Sequence, residues 1–173
     1  MRNLFTGRKA LMCAVLTALL MVLAVGTASA TTAKLTTTQN FLDYLVANGI
    51  KYTYNGMTES SGESVTVSYT LDNFSSLSCK LFFKESEDEV DLRIWNIVTV
   101  SAGKNFALNV VNSLNASWKY CKFVFDESDN TVQAEMDMFI NKDHCGEEIF
   151  KAMRKLFVVV DTDEIAEQLH SLE

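Results

Sequence analysis

Cys145 is the residue of this chain best placed for nucleophilic chemistry. It follows His144 and opens a segment with helical periodicity, so we expect it in the first turn of a helix, where the helix dipole lowers the pKa of a thiol. Glu147 and Glu148 oppose this effect, because nearby negative charge disfavours a thiolate. His170 is the other histidine of the chain. A thiol-dependent enzyme or redox protein using Cys145 is therefore one alternative for the function, and the sequence contains no other catalytic signature.

Oxygen-rich segments suggest calcium as a second alternative. Asp126, Ser128 and Asn130 are spaced like the first ligands of a calcium loop. An EF-hand also needs Gly at the sixth position and Glu at the twelfth, between two helices, whereas this chain has Thr131 and Asp137 there. The pattern favours a polar hairpin turn, with a calcium-responsive structural module as the alternative. The densest acidic cluster also falls in a predicted turn and comprises Glu85, Glu87, Asp88, Glu89 and Asp91.

Outside the first thirty residues, three cysteines could act as thiols or form a disulfide: Cys79, Cys121 and Cys145. An odd number means that at least one is free or bonded to another chain. Their apolar neighbours indicate small buried side chains, and a disulfide between Cys79 and Cys121 on neighbouring strands is the alternative. The sequence has no Cys-x-x-Cys and no spaced histidine pair, so we expect neither a metal nor a cofactor.

Two aromatic residues are the strongest candidates for binding a partner. Phe82 and Trp95 interrupt the polar face of a predicted sheet, and large aromatics are frequent at interaction hot spots. Packing of the last helices over Phe82 and Trp95 would explain these two aromatic side chains equally well. One face of a predicted helix carries three asparagines: Asn105, Asn109 and Asn112. Their side-chain amides could form hydrogen bonds to a bound peptide, although such residues more often only contact solvent.

The first thirty residues have the order of a secretory signal. Arg2, Arg8 and Lys9 precede an apolar run from Ala10 to Val25, and small residues end at Ala30 before Thr31. The apolar run is shorter than the roughly 20 residues of a membrane-spanning helix. We therefore expect a signal peptide over 1–30, cleavage between Ala30 and Thr31, and a periplasmic or extracellular protein. Membrane contact is expected only through an uncleaved signal.

The remaining residues, 31–173, are expected to form a single domain. They contain 12 basic and 22 acidic residues, a net charge of −10, because the leader holds three of the 15 basic residues and none of the acidic ones. Nucleic-acid binding is disfavoured, since it depends on Lys and Arg neutralising phosphates.

Alternation of apolar and polar residues predicts most of the strands. A short strand over Ile50–Tyr54 is followed by a polar loop over Asn55–Glu63. Three alternating segments then predict an antiparallel meander, and two more predict a hairpin. These segments are Val65–Leu71, Ser78–Lys84, Glu89–Val100, Cys121–Phe125 and Val132–Met138.

Helical periodicity predicts the other elements. Thr36 and Gln39 have capping-box spacing at the start of a first helix, and the stripe of a second, over Lys104–Trp118, includes Phe106. Two helices, Cys145–Val158 and Asp163–Leu172, end the chain. The order α-β-β-β-β-α-β-β-α-α predicts an α+β fold, with helices on one face of an antiparallel sheet of about 5–6 strands.

Several stretches together resemble the YbjN-like domain family, whose fold is similar to that of type III secretion chaperones. The resemblance spans nearly all of Thr38–Leu172 and is carried by residues 41–52, Val110–Asn115, Lys122–Phe125, Thr131–Asp137 and Gly146–Met153. It implies helices on one face of a sheet, frequent self-association, and binding of polypeptides rather than turnover of substrates. It supplies no catalytic residues. The expected function is therefore that of an exported, chaperone-like or regulatory, non-enzymatic module that binds a protein or peptide, as a homodimer.

Overall fold

The computed structural model describes residues 32–58 and 62–173. The predicted signal peptide and its cleavage site lie outside these residues. The described part of the chain forms four helices and six strands, and the predicted α+β class and element order are confirmed. The elements are α1 (Thr36–Ala47), β1 (Thr53–Thr58), β2 (Gly62–Tyr69), β3 (Leu77–Phe83), β4 (Glu89–Thr99), α2 (Lys104–Ser117), β5 (Lys122–Asp126), β6 (Thr131–Phe139), α3 (Gly146–Val160) and α4 (Asp163–His170).

The strands form one antiparallel sheet in the order β1-β2-β3-β4-β6-β5. The first four strands are a meander. After β4 the chain passes through α2, runs along the far edge as β5 and returns as β6, which pairs with both β4 and β5. β4 is the longest strand, with 11 residues, and it lies in the middle of the sheet.

One face of the sheet is apolar and is covered by the helices. Strand side chains alternate between the faces, and the inward series is fully or almost fully buried. That series includes Val65, Val67, Cys79, Leu81, Phe83, Val90, Leu92 and Ile94. Facing it are Phe41 and Leu45 of α1 together with Ile149, Met153 and Leu156 of α3, all buried. No helix of the described residues covers the opposite face, which we call the open face.

Helix α1 is held to the sheet by two carboxylates. The buried Glu63 accepts hydrogen bonds from the backbone N–H groups of Lys34, at 2.7 Å, and Leu35, at 2.9 Å. Glu87 accepts one from the N–H of Thr37 at 3.1 Å. The predicted capping box of Thr36 and Gln39 is wrong, because the helix has no side-chain cap of its own and distant acidic residues bind the amides at its start instead.

The Glu63 carboxylate also accepts a hydrogen bond from the Tyr54 hydroxyl. Burial by itself would raise the pKa of Glu63, but the bonds from Tyr54 and from the backbone of Lys34 and Leu35 outweigh it and hold that pKa below its usual range. Burial and the same carboxylate raise the pKa of Tyr54 to about 12. The pair therefore stays as a carboxylate and a phenol at neutral pH, and it fixes β1 and β2 to the segment before α1.

Two local predictions fail. The loop expected over Asn55–Glu63 is mostly strand: Asn55 and Gly56 lie within β1, where the pairing with β2 shifts register and Gly56 takes a φ of 76°. An Asn-Gly pair thus marks a bulge here, not a turn. Phe106, expected in the buried stripe of α2, is 47% exposed, while Ala107, Val111 and Leu114 make the contact.

Helices α1 and α3 approach closely where α3 begins. A Cβ on Gly146 would lie 2.6 Å from the carbonyl oxygen of Asn40 and 2.9 Å from Cβ of Tyr44. The glycine is therefore needed for contact between the two backbones. The Asn40 amide donates a hydrogen bond to the Lys142 carbonyl at 2.5 Å, which holds the segment before α3 in place. Among the described residues, the helices are too short or too polar to cross a bilayer.

Candidate functional site

The open face carries the aromatic pair that the sequence singles out. The rings of Phe82 on β3 and Trp95 on β4 lie 5.7 Å apart between centroids, with an angle of 59° between their planes. Lys80, two residues before Phe82 on the same strand, places its Nζ 5.1 Å from the Phe82 ring centroid and 5.7 Å from that of Trp95. The three side chains form one unit, which we call the aromatic patch.

A bulge in β4 explains why Trp95 is accessible. The pairing of β4 with β6 shifts between Ile94 and Val98, and Asn96 takes a φ of 52°. Trp95 is left 44% exposed at the rim of a hollow of about 380 Å³. The hollow is lined by Thr66, Ser76, Leu77, Ser78, Lys80, Trp95 and Asn96. Cover by the last helices is excluded, because those helices pack on the other face.

Phe139 extends the apolar part of this face and was missed at the sequence level. It lies at the end of β6, opposite Glu89 and two residues beyond Asp137, and is 85% exposed. Its place in an alternating strand was a usable signal, since residues 133, 135 and 137 mark the outward positions of β6.

Beside the aromatic patch, the open face is held together by ion pairs around Arg93. The Arg93 guanidinium lies 2.6 Å from Asp137, 3.8 Å from Asp91 and 3.9 Å from Glu135. Asp91 also pairs with Lys84. The Arg93 side chain is only 18% exposed, so these contacts cross-link β4 and β6 at the centre of the sheet.

The three candidate amides of α2 do not join the aromatic patch. Asn105, Asn109 and Asn112 are exposed on a helix of the opposite face. The asparagine of α2 with a defined role is Asn115. Its amide donates to the Phe123 carbonyl at 2.9 Å and accepts from the Phe123 N–H at 2.7 Å, so it pairs with the edge strand β5 as another strand would.

The three cysteines that the structure describes, Cys79, Cys121 and Cys145, are buried and free. The alternative of a Cys79–Cys121 disulfide on neighbouring strands is wrong, because β4 and β6 lie between β3 and β5. Adjacent strands are about 4.8 Å apart, which puts these positions beyond the reach of a disulfide. Burial raises the pKa of Cys79 to about 12 and that of Cys121 to about 11.

Cys145, expected in the first turn of a helix, lies at the N-cap position immediately before α3 and is fully buried. Its thiol faces the backbone carbonyls of Thr37, at 3.6 Å, and Lys142, at 3.9 Å. Burial, followed by the nearby Glu148 and Glu87 carboxylates, raises its pKa. The surroundings of Cys145 thus favour the neutral thiol, the opposite of what a nucleophile requires.

Carboxylate oxygens in the two acidic segments form hydrogen bonds and ion pairs within the protein. Asp126 accepts hydrogen bonds from the N–H and hydroxyl of Ser128, at 2.8 and 2.6 Å, and these bonds hold its pKa below the usual range. In the other segment Glu87 binds the start of α1 and Asp91 binds Lys84 and Arg93. Residues 32–58 and 62–173 contain no group of three or more His, Cys, Asp or Glu side chains able to hold a metal ion.

The fold has a counterpart among solved structures. No protein-family profile matches the chain, and no curated protein sequence matches it. The chain is similar to the crystal structure of YbjN from E. coli, described as a candidate transcription regulator, with a TM-score of 0.51 and 12% sequence identity. The similarity covers 78% of this chain and 93% of that one. At this identity it supports the fold that the family resemblance implied, a YbjN-like arrangement, and no more.

Proposed function

We propose that this protein is an exported, non-enzymatic module that binds polypeptides, including a second copy of itself, through the open face of its sheet. The observation that carries the proposal is the aromatic patch: Phe82 and Trp95 in contact, flanked by a hollow, on a sheet face whose other outward side chains, apart from Phe139, are mostly polar. Exposed apolar clusters with a polar rim are typical of interaction sites, and aromatic side chains supply much of the free energy there.

The charges around the patch favour polypeptide over nucleic acid. The candidate regulatory role described for YbjN would require contact with DNA or with another protein. Here the patch is bordered by Asp91, Glu135 and Asp137, and the chain carries a net charge of −7. These carboxylates would repel phosphates, whereas a peptide can place apolar side chains against the aromatic rings.

A second copy is a suitable occupant because it carries the same aromatic patch. A two-fold axis through the patch can bring Phe82 and Trp95 of one copy against the same two rings of the other. Closed two-fold dimers are the commonest homo-oligomers. Export itself is supported by the basic, apolar and small residues of 1–30 in their order.

Sedimentation velocity on the mature chain tests this proposal. Protein is taken from the exported fraction, with an N terminus at Thr31 verified by mass spectrometry. The double variant Phe82→Asp/Trp95→Asp should sediment as a monomer at concentrations where the wild type is a dimer, because two charges would be buried in an apolar contact. Phe106→Asp is the matched control, since Phe106 is about as exposed as Trp95 but lies on the opposite side.

Circular dichroism checks that the double variant is folded. A wild-type chain that stays monomeric at every concentration would contradict the dimer. A double variant with unchanged association would show that the aromatic patch is not the contact.

A further inference from the structure

The outer side of α3 carries a second surface, distinct from the open face. The inner side of this helix packs on α1 and the sheet through Ile149, Met153 and Leu156, all fully buried. The outer side should then be polar, as on most surface helices. It carries Lys151, Arg154 and Lys155, but also Val158, which is 59% exposed. Because the Val158 side chain is exposed, it contributes little hydrophobic free energy to the isolated chain.

Hollows lie on both sides of these residues. One of about 350 Å³ is lined by Tyr44, Phe150, Lys151, Arg154, Lys155 and Val158. A second, of about 140 Å³, shares Arg154 and Val158 and continues to Tyr69, Leu71, Phe157 and Asp161. A third, of about 290 Å³, shares Lys155 and reaches Trp118, Tyr120 and Met136. The outer side of α3 is thus a groove with apolar walls and cations between its hollows. We call it the α3 groove.

Two of the three cations that α3 contributes to the groove lack a carboxylate partner among the described residues. Lys151 pairs with Glu147 one turn earlier, at 2.7 Å. Arg154 and Lys155 form no salt bridge within the part of the chain that the structure describes, and the residues four positions before them are Phe150 and Lys151. The nearby Asp161 carboxylate is occupied, since it accepts hydrogen bonds from the N–H groups of Asp72, at 3.0 Å, and Asn73, at 2.8 Å.

We propose that the α3 groove binds an acidic amphipathic polypeptide segment of a partner, with carboxylates on Arg154 and Lys155 and apolar side chains in the hollows beside Val158. This goes beyond binding at the open face, because the groove lies on the other side of the molecule. Charge complementarity supports it: Lys151, Arg154 and Lys155 lie within about one turn of α3 beside the apolar hollows, and the last two have no carboxylate partner among the described residues. An anionic membrane is a poorer occupant, because a flat surface does not fill hollows and the acidic chain is repelled from it.

Fluorescence anisotropy with a labelled synthetic peptide tests the proposal. The probe is an amphipathic peptide that carries glutamate on one helical face and leucine on the other. Arg154→Glu/Lys155→Glu should weaken its binding at least about tenfold, and raising the salt concentration should weaken wild-type binding as well. Val158→Asp should weaken binding too, since it places a carboxylate among the bound leucines. Lys51→Glu/Lys142→Glu, which makes the same change in net charge at exposed lysines elsewhere, should keep wild-type affinity.

Each other outcome overturns the proposal. No binding by the wild type, unchanged affinity in Arg154→Glu/Lys155→Glu, or equal loss in the Lys51/Lys142 control would do so. If anionic vesicles of phosphatidylserine and phosphatidylcholine bind in place of the peptide with the same dependence on Arg154, the occupant is a membrane. If Arg154→Glu/Lys155→Glu abolishes self-association, it is a second copy. The variant Phe82→Asp/Trp95→Asp should retain peptide binding at the groove, which separates failure of this proposal from failure of the open-face proposal.

Discussion

Arg93 on the open face and Arg154 in the α3 groove are the same residue type in opposite circumstances. Arg93 is mostly buried and lies within 4 Å of three carboxylates, on Asp91, Glu135 and Asp137. Arg154 is exposed and, within the described residues, pairs with none. The charge of Arg93 is already neutralised inside the protein, whereas that of Arg154 is available to something outside it.

The contrast separates two ways of attracting a partner. On the open face the charges serve the sheet and the attraction comes from aromatic area, so binding there should depend little on salt. In the α3 groove the apolar walls are modest and the attraction comes from unpaired cations, so binding there should weaken as salt screens them. We therefore expect Arg93 to matter for folding and Arg154 for binding.

Replacing each arginine by methionine should give the largest difference in stability between the two regions. Arg93→Met leaves the mostly buried carboxylates of Asp91 and Glu135 and the exposed one of Asp137 without their shared cation. It should lower the free energy of unfolding by about 2 kcal/mol, less than for a fully buried pair because solvent screens part of the loss. Arg154→Met should change it by less than about 0.5 kcal/mol, as for ordinary surface substitutions. Urea denaturation followed by circular dichroism measures both.

The matched substitutions also show what would break the comparison. Equal losses in the two variants would mean that Arg154 has a structural role like that of Arg93. No loss in Arg93→Met would mean that Lys84, which pairs with Asp91, and Lys122, whose Nζ lies 3.8 Å from the Glu135 carboxylate, neutralise these two carboxylates well enough without Arg93.

The fold was largely predictable because its signals are local. Period-two alternation in β2, β3 and β4, and the helical stripes of α1 and α3, depend only on which side of an element meets the core. The failures arise where distant residues intervene. The start of α1 is bound by Glu63 and Glu87 from other strands, so no spacing near Thr36 could reveal it. Asn55-Gly56 has turn composition but lies where β2 offers a pairing partner, and pairing outweighs local preference.

The candidate sites were only half predictable, for the same reason. Phe82 and Trp95 break an alternation, so each is visible in its own strand. Their contact with each other and with Lys80 depends on the register of β3 against β4. The α3 groove is harder to see in the sequence. Val158 lies in the apolar run Phe157–Val160, and only the packing of the helix shows that its side chain faces outward. The absence of a carboxylate near Arg154 is a three-dimensional property that no sequence pattern contains.

Gly146→Ala should have an effect of intermediate size on stability. It tests the comparison because it should alter the α3 groove and leave the open face unchanged. The added Cβ would lie 2.6 Å from the Asn40 carbonyl oxygen, so α1 and α3 must move apart. The expected loss in stability is about 1–2 kcal/mol, an overpacking cost partly offset by the better helix propensity of alanine.

Tyr44 lies at this contact and also lines the α3 groove. Gly146→Ala should therefore weaken peptide binding in the groove while self-association through the open face persists. Asn112→Ala, at an exposed position of α2, is the control for both measurements. Loss of both activities in Gly146→Ala, with a folded chain, would argue against two independent regions.

The smallest expected effect concerns His170, which helps to hold the far end of the α3 groove. Its ring stacks on Phe74 with centroids 4.9 Å apart. Nδ1 lies 2.7 Å from the Glu173 carboxylate and Nε2 lies 3.1 Å from the Asn73 carbonyl oxygen. Both partners are acceptors, so the doubly protonated imidazolium satisfies both. The bond to Glu173, and then the one to Asn73, raises the pKa of His170 in the folded protein.

A raised pKa in the folded state means that the stabilisation is complete below the pKa of the unfolded chain, about 6.5. It is lost as pH rises through the higher folded value. The gain should be less than about 1 kcal/mol, because the ring is partly exposed. The difference between the urea midpoints at acidic and at alkaline pH should be smaller in His170→Gln than in the wild type. The control His144→Gln, at a ring without a hydrogen-bond partner among the described residues, should keep the wild-type difference.

Because Asn73 adjoins the loop that supplies Leu71 to the groove, peptide affinity should fall slightly over the same pH range, while dimer formation at the open face should not. A parallel fall in both would mean that pH acts on the whole molecule rather than on this end of the groove.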